Sequence, residues 1–189
     1  VPDLTLTASP PLDGYHKQFG DTALTEIGDQ ALVSIAVPLG GADALDSAMT
    51  GAYGTTFPAP GSTALSKDGS VRFLGLQPDQ CFALFELAGN EPVEAIANVL
   101  GDTGYYTDQS DSWAMLRLSG PLAVSALERI CPLGLAPAAF PQGSVARTAM
   151  EHLGVIILCE NEDSYVLMSA RSSAPSFLHA VETSVENVS

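Results

Sequence analysis

Residues 71–101 read VRFLGLQPDQCFALFELAGNEPVEAIANVLG, and the change of period inside this stretch decides the fold class. Val71 to Leu76 and Cys81 to Leu87 are short apolar runs rich in strand-forming residues, and Gln77-Pro78-Asp79-Gln80 supplies turn chemistry between them. Beyond Gly89 the period becomes helical, with Val93, Ile96, Ala97 and Leu100 on one face. Asn90 stands as the expected cap, Pro92 sits in the first turn, and Gly101 ends the helix. Two antiparallel strands followed by a helix that folds back on them predict an α+β architecture with helices on one face of a sheet.

Upstream, Gln30 to Val37 reads as a buried strand ended by Pro38 and Gly40-Gly41, and Ala42 to Met49 as a short helix with Ala42, Leu45, Ala48 and Met49 inward. Thr55 to Ser70 is loop-like. Downstream, Trp113 to Leu118 reads as a strand, Gly120-Pro121 opens a helix with Leu122, Ala126, Leu127 and Ile130 inward, and Pro132 to Gly143 is loop. Val145 to His152 and Val155 to Cys159 read as two strands, or as one strand bent through Gly154, then come the strand Ser164 to Ser169 and a helix from about Ala174 to Val185.

The order recurs. Adding 83 carries Phe57-Pro58 onto Phe140-Pro141, Phe82-Ala83-Leu84-Phe85 onto Tyr165-Val166-Leu167-Met168, and Asn90 with Pro92 onto Ser173 with Pro175. The offset falls to 79 where Leu39-Gly40-Gly41 meets Leu118-Ser119-Gly120. The expectation is an extended arm over residues 1–20, then one compact domain over 21–189. That domain is built from two strand-helix-strand-strand-helix units, about 30–103 and 104–189, whose antiparallel sheets share a core.

Seven Lys and Arg against 22 Asp and Glu give a formal charge of −15, and no two basic residues are adjacent. Nucleic acid and anionic membrane surfaces are poor partners for such a chain. The longest apolar run, around Val155 to Leu158, is far short of the roughly 20 residues that span a bilayer. A soluble, cytoplasmic protein is expected. Cys81, Cys131 and Cys159 are odd in number and widely spaced, and Cys81 and Cys159 read as small buried hydrophobes.

Catalytic chemistry finds little support. His16, His152 and His179 stand at no metal-ligand spacing, and Glu151-His152 on a strand would point to opposite faces. Glu160, Glu162 and Asp163 suit a solvated hairpin turn. No phosphate-binding glycine loop or G-x-S-x-G elbow is present. The conspicuous residues are scarce cations, Arg147 inside a strand and Arg171 before a helix. Each suits an internal carboxylate bridge or a subunit interface.

The stretch 140–158, FPQGSVARTAMEHLGVIIL, resembles the gamma subunit of heterotetrameric sarcosine oxidase. Ser169-Ala170-Arg171-Ser172-Ser173-Ala174 leading to Ser176-Phe177-Leu178-His179-Ala180 resembles the end of that family, and Ala36-Val37-Pro38-Leu39-Gly40-Gly41 its early strand and turn. The resemblance implies a fold related to the aminomethyltransferase domains of the glycine cleavage T protein. It implies a non-catalytic chain in a flavoenzyme that oxidises sarcosine to glycine, with hydrogen peroxide and 5,10-methylenetetrahydrofolate as further products. FAD, FMN, NAD and tetrahydrofolate would lie on the alpha and beta chains and zinc on delta. The partners would be alpha, beta and delta, chiefly alpha, with Arg147 and Arg171 as interface residues. Sister complexes oxidise other N-methyl amines, such as N-methylproline or N-methylglutamate. The alternative is a free-standing folate-dependent one-carbon transfer domain.

Overall fold

A computed structural model of the chain describes residues 9–86 and 89–189. Eleven strands and four α-helices alternate along it: β1 His16–Phe19, β2 Thr22–Glu26, β3 Gln30–Ala36, α1 Ala42–Tyr53, β4 Thr63–Leu65, β5 Val71–Gln77, β6 Gln80–Glu86, α2 Pro92–Leu100, β7 Tyr105–Asp108, β8 Trp113–Ser119, α3 Ala123–Glu128, β9 Val145–Met150, β10 Leu153–Asn161, β11 Ser164–Ala170 and α4 Ala174–Glu186. They form a six-stranded sheet in the order β1-β2-β8-β11-β10-β9 and a five-stranded sheet in the order β4-β5-β6-β3-β7. All the strand pairs are antiparallel.

The buried side chains fall into three layers, which makes a four-layer sandwich. Leu45, Met49, Ile96 and Leu100 of α1 and α2 pack on Val33, Ile35, Phe73, Cys81 and Ala83 of the five-stranded sheet. Ala126, Leu127, Phe177, Val181 and Val185 of α3 and α4 cover Leu116, Leu118, Val155, Ile157 and Leu167 of the six-stranded sheet. Between the sheets lie Leu32, Leu74, Phe82 and Leu84 from one and Met115, Ile156, Leu158, Val166 and Met168 from the other. Both faces of the central strands are therefore buried, so they read as unbroken apolar runs rather than alternating ones.

Pairing shows how the two halves correspond. β3 maps onto β8 at the offset of 83, which keeps Leu32 and Met115 between the sheets and Val33 and Leu116 under the helices. The β5–β6 and β10–β11 hairpins share a feature: the register shifts between Gly75 and Gln77 in one and between Cys159 and Asn161 in the other. In these hairpins the offset is 84, one more than the sequence reading used. Phe82 therefore corresponds to Val166, and both face the other sheet; Tyr165, the expected match, lies on the helix side. A slip of one residue exchanges the faces of a strand, so the difference is not cosmetic. The offset of 79 also fails, because Leu39 is fully exposed in a loop and Leu118 is buried in β8.

Other expectations are corrected at the periphery. The arm over residues 1–20 is not all arm: His16–Phe19 pairs with β2, while residues 1–8 lie outside the described part, as do residues 87 and 88 at the end of the expected strand. β4 falls inside the stretch expected as loop, and β2 and β7 fall in stretches to which the sequence assigned no element. Neither sheet comes from one half alone, since β2 joins β8 and β7 joins β3, so a boundary at 103/104 cuts across both. Of the two readings of residues 145–161, the two-strand one holds and the bent strand does not: they form a hairpin turning at Glu151, whose φ of 53° is left-handed. α2 is capped by Glu91 rather than Asn90, without a side-chain bond.

Candidate functional site

The mouth of the inter-sheet layer gathers the scarce cations around the chain's one tryptophan. Trp113 opens β8 and pairs with Ala170 at the end of β11, so its ring projects between the sheets. The ring of Phe82 meets it edge to face, with centroids 6.2 Å apart. Arg147, on the edge strand β9, lies over the other side of this pair, its Cζ 5.5 Å from the Phe82 centroid. A cation over an aromatic face is held by the ring quadrupole without using its N–H donors.

Two clefts meet at Trp113. One, of about 250 Å³, is lined by Arg147, Leu153, Gly154, Val155 and Ala170. The other, of about 150 Å³, is lined by Ile27, Gly28, Asp111, Met115 and Arg171. Arg171 begins the turn before α4, donates to the Ser9 carbonyl at 2.7 Å and lies 3.6 Å from an Asp111 carboxylate that is almost fully exposed. Arg147 has no carboxylate within 4.0 Å among the described residues. The indole Nε1 of Trp113 is buried and has no acceptor among the described residues. Arg147 and Arg171, chosen from sequence, thus flank one aromatic residue. The sequence reading missed Trp113 and Phe82, although a lone tryptophan at the head of a strand was a usable signal.

Elsewhere along the same layer Arg117 is committed internally. Its Nε and Nη2 donate to the Glu160 carboxylate at 2.8 and 3.1 Å, and Ser164 Oγ adds a third bond at 3.1 Å. Burial would raise the Glu160 pKa, but the bonds from Arg117 and Ser164 outweigh it and hold the carboxyl below its ordinary value. Glu160 is therefore a buttress of the hairpin rather than a solvated turn residue. A depressed folded pKa gives stability that is present above the unfolded value, near pH 4.3, and is lost as pH falls through the folded one. The Glu160→Gln variant should unfold about 1 kcal/mol more easily at pH 7, and the gap should close below pH 4. Urea midpoints at the two pH values measure this.

The remaining reactive groups are engaged in structure. Cys81, Cys131 and Cys159 are free and buried, and burial pushes the Cys81 thiol up to about 12. Burial likewise raises Tyr165 to about 12, and its hydroxyl donates to the Leu135 carbonyl. Ser184 Oγ donates to the Ala126 carbonyl at 2.6 Å, tying α4 to α3. His179 lines a surface cleft of about 340 Å³ with Arg129, Glu151 and Asn187. Among the described residues no three His, Cys, Asp or Glu side chains gather where a metal could be held, and no helix is long and apolar enough to cross a membrane.

No family model matches the chain. Among curated proteins it is 30% identical over 162 residues to sarcosine oxidase subunit gamma of Corynebacterium sp. (strain P-1), covering 85% of this chain and 78% of that one. It is 29% identical over 150 residues to the subunit of the same name from Arthrobacter sp., covering 79% and 72%. Among solved structures it is similar to a chain of the heterotetrameric sarcosine oxidase from Corynebacterium sp. U-96 in complex with pyrrole 2-carboxylate. The TM-score is 0.75 at 24% identity, over 88% of this chain and 84% of that one. The glycine cleavage system aminomethyltransferase T from Bartonella henselae matches with a TM-score of 0.61 at 11% identity, over 92% of this chain and 56% of that one.

Proposed function

The chain belongs to the sarcosine oxidase gamma-subunit family, and from that premise we propose that it is the non-catalytic gamma-type subunit of a heterotetrameric oxidase that demethylates an N-methyl amino acid. The observation that carries this reading is the 30% identity over 162 residues to a protein of that name, an alignment that covers 85% of this chain. In this reading the complex converts sarcosine to glycine, with hydrogen peroxide and 5,10-methylenetetrahydrofolate as products. FAD, FMN, NAD, tetrahydrofolate and zinc are held by the alpha, beta and delta chains. This chain acts by assembly in the cytoplasm, chiefly against alpha. The arrangement around Trp113 supports an assembly role for Arg147, which lacks an internal carboxylate partner among the described residues. Arg171, bonded to Ser9 and near Asp111, contributes mainly by holding the N-terminal segment in place.

A second reading draws on the shared fold with the Bartonella aminomethyltransferase: a free-standing folate-dependent one-carbon transfer domain. Titration calorimetry of the isolated chain with tetrahydrofolate separates the two. The subunit reading expects no saturable heat at millimolar ligand, whereas one-to-one binding would replace it with the one-carbon reading.

A further inference from the structure

We infer that the turn between β3 and α1 is a docking knob: exposed Leu39, with Tyr105 at the same end of the sheet, enters an apolar pocket rimmed by Lys or Arg on another subunit of the assembly. The inference rests on the gamma-subunit reading and adds to it which end of this chain meets a partner and what chemistry that partner presents.

Leu39 is the most exposed large apolar side chain among the described residues, at 106% relative exposure, and Tyr105 follows at 68%. Single exposed leucines are ordinary, so exposure alone decides nothing. What distinguishes this one is that the fold holds it out. The Gly41 N–H donates to the Pro38 carbonyl at 2.8 Å, closing a four-residue turn with Leu39 second and the left-handed Gly40 third. Both flanks are anchored: the Val37 N–H donates to the Asp79 carbonyl at 2.8 Å, and the Leu45 N–H donates to the Gly41 carbonyl at 3.0 Å as α1 begins. A side chain presented by a pinned turn loses little backbone freedom when it docks.

Tyr105 begins β7 opposite Ala36, and Leu39 lies three residues beyond Ala36, at most about 11 Å along the chain. The segments that build this end of the sheet, residues 37–43, 77–80 and 101–105, carry exposed Asp43, Asp79 and Asp102 and no Lys, Arg or His. None of these three carboxylates has a cation within 4.0 Å among the described residues. An apolar tip inside an acidic rim selects its partner twice. Leucine and tyrosine contribute by removing apolar area from water, whereas the carboxylates repel an acidic surface and steer a basic one. A second copy of this chain is a poor occupant, because it would set one acidic rim against another at a charge of −15 on each side. A polypeptide pocket with basic residues at its lip fits both features.

The test uses the co-expressed complex and reads retention of this chain on serial dilution by native mass spectrometry, beside the urea midpoint of each variant. Leu39→Ser and Tyr105→Thr trim the tip, and Asp79→Asn combined with Asp102→Asn removes two rim charges. Leu65→Thr is the control, exposed where β4 pairs with the start of β5, at the other end of the sheet. The knob predicts that Leu39→Ser weakens retention about thirtyfold and Tyr105→Thr about tenfold, both with the urea midpoint of wild type, while Leu65→Thr changes neither. The double Asp variant should weaken retention about fivefold at low salt and not at all at about 1 M salt, where the rim charges are screened. Both apolar variants retained within about twofold would overturn the knob while leaving the subunit reading standing. Midpoints that fall in step with retention would also overturn it, because they assign Leu39 and Tyr105 to the fold. Unchanged retention of the double Asp variant at low salt would overturn the basic lip. A dimer of the chain that Leu39→Ser dissolves would give the tip to a second copy and overturn the proposed partner. Failure of the wild-type chain to assemble would instead remove the subunit reading beneath it.

Discussion

Gly75→Val should leave the chain almost entirely in the insoluble or proteolysed fraction, the largest effect expected of any single substitution in the five-stranded sheet. A Cβ at residue 75 would lie 2.1 Å from the Ala59 carbonyl oxygen and 2.9 Å from that of Pro58. Both obstacles are backbone, so nothing small can swing aside. The loop that presses here is also bonded to the strand: Gly75 donates to Ser62 and accepts from Gly61, each at 2.9 Å. Gly61 in turn accepts from Val145 at 3.1 Å, so the loop joins the five-stranded sheet to the edge of the six-stranded one. Overpacking alone costs about 1–3 kcal/mol, and displacing the loop adds two or three lost backbone bonds. Against a total stability of about 5–15 kcal/mol, that is enough to unfold the chain. Pulse proteolysis across a urea series measures it, with Gly154→Ala, where nothing lies within 4 Å of the added carbon, as the control.

The second large effect concerns the outer helix. Phe177 is fully buried between α4 and the six-stranded sheet, where it joins Leu127, Leu167 and Val181. Phe177→Ala should cost about 3–5 kcal/mol through lost transfer energy and an unfilled cavity. Leu178, the next residue, is only partly buried, and Leu178→Ala should cost no more than about 1 kcal/mol. A difference of less than about 1 kcal/mol between the two urea midpoints would contradict the assigned face of α4.

What sequence revealed follows the local density of apolar side chains. β3, β6, β8, β10 and β11 are buried on both faces and announce themselves as apolar runs; α2 and α4 do so by period. β1, β4 and β7 are short, and much of their side-chain surface is exposed or half-buried, as in the Tyr105-Tyr106-Thr107-Asp108 edge strand. β2 does alternate, with Thr22, Leu24 and Glu26 buried, but Glu26 is buried because it accepts bonds from the Leu12 and Gly14 backbone, which no periodicity announces. The exchange of β2 and β7 between the sheets is equally invisible, because a strand's sequence does not encode which distant strand it will join. The site divides the same way. Scarcity of cations was enough to single out Arg147 and Arg171, whereas their meeting at Trp113 depends on β8, β9 and β11 lying side by side. The register shifts at residues 76 and 160 correspond at an offset of 84, and only the pairing shows that these hairpins stand one residue further apart than the offset of 83 between β3 and β8.

Co-expressing this chain with the other three chains of a heterotetrameric sarcosine oxidase, then weighing the purified particle by native mass spectrometry, tests most directly whether it works as one part of a larger oxidase rather than alone. The predicted result is a four-chain particle with flavin absorbance and a single copy of this 19.6 kDa chain, which is itself colourless when separated. A flavoenzyme that assembles and turns over an N-methyl amino acid with this chain absent, while the chain migrates by itself, would contradict it.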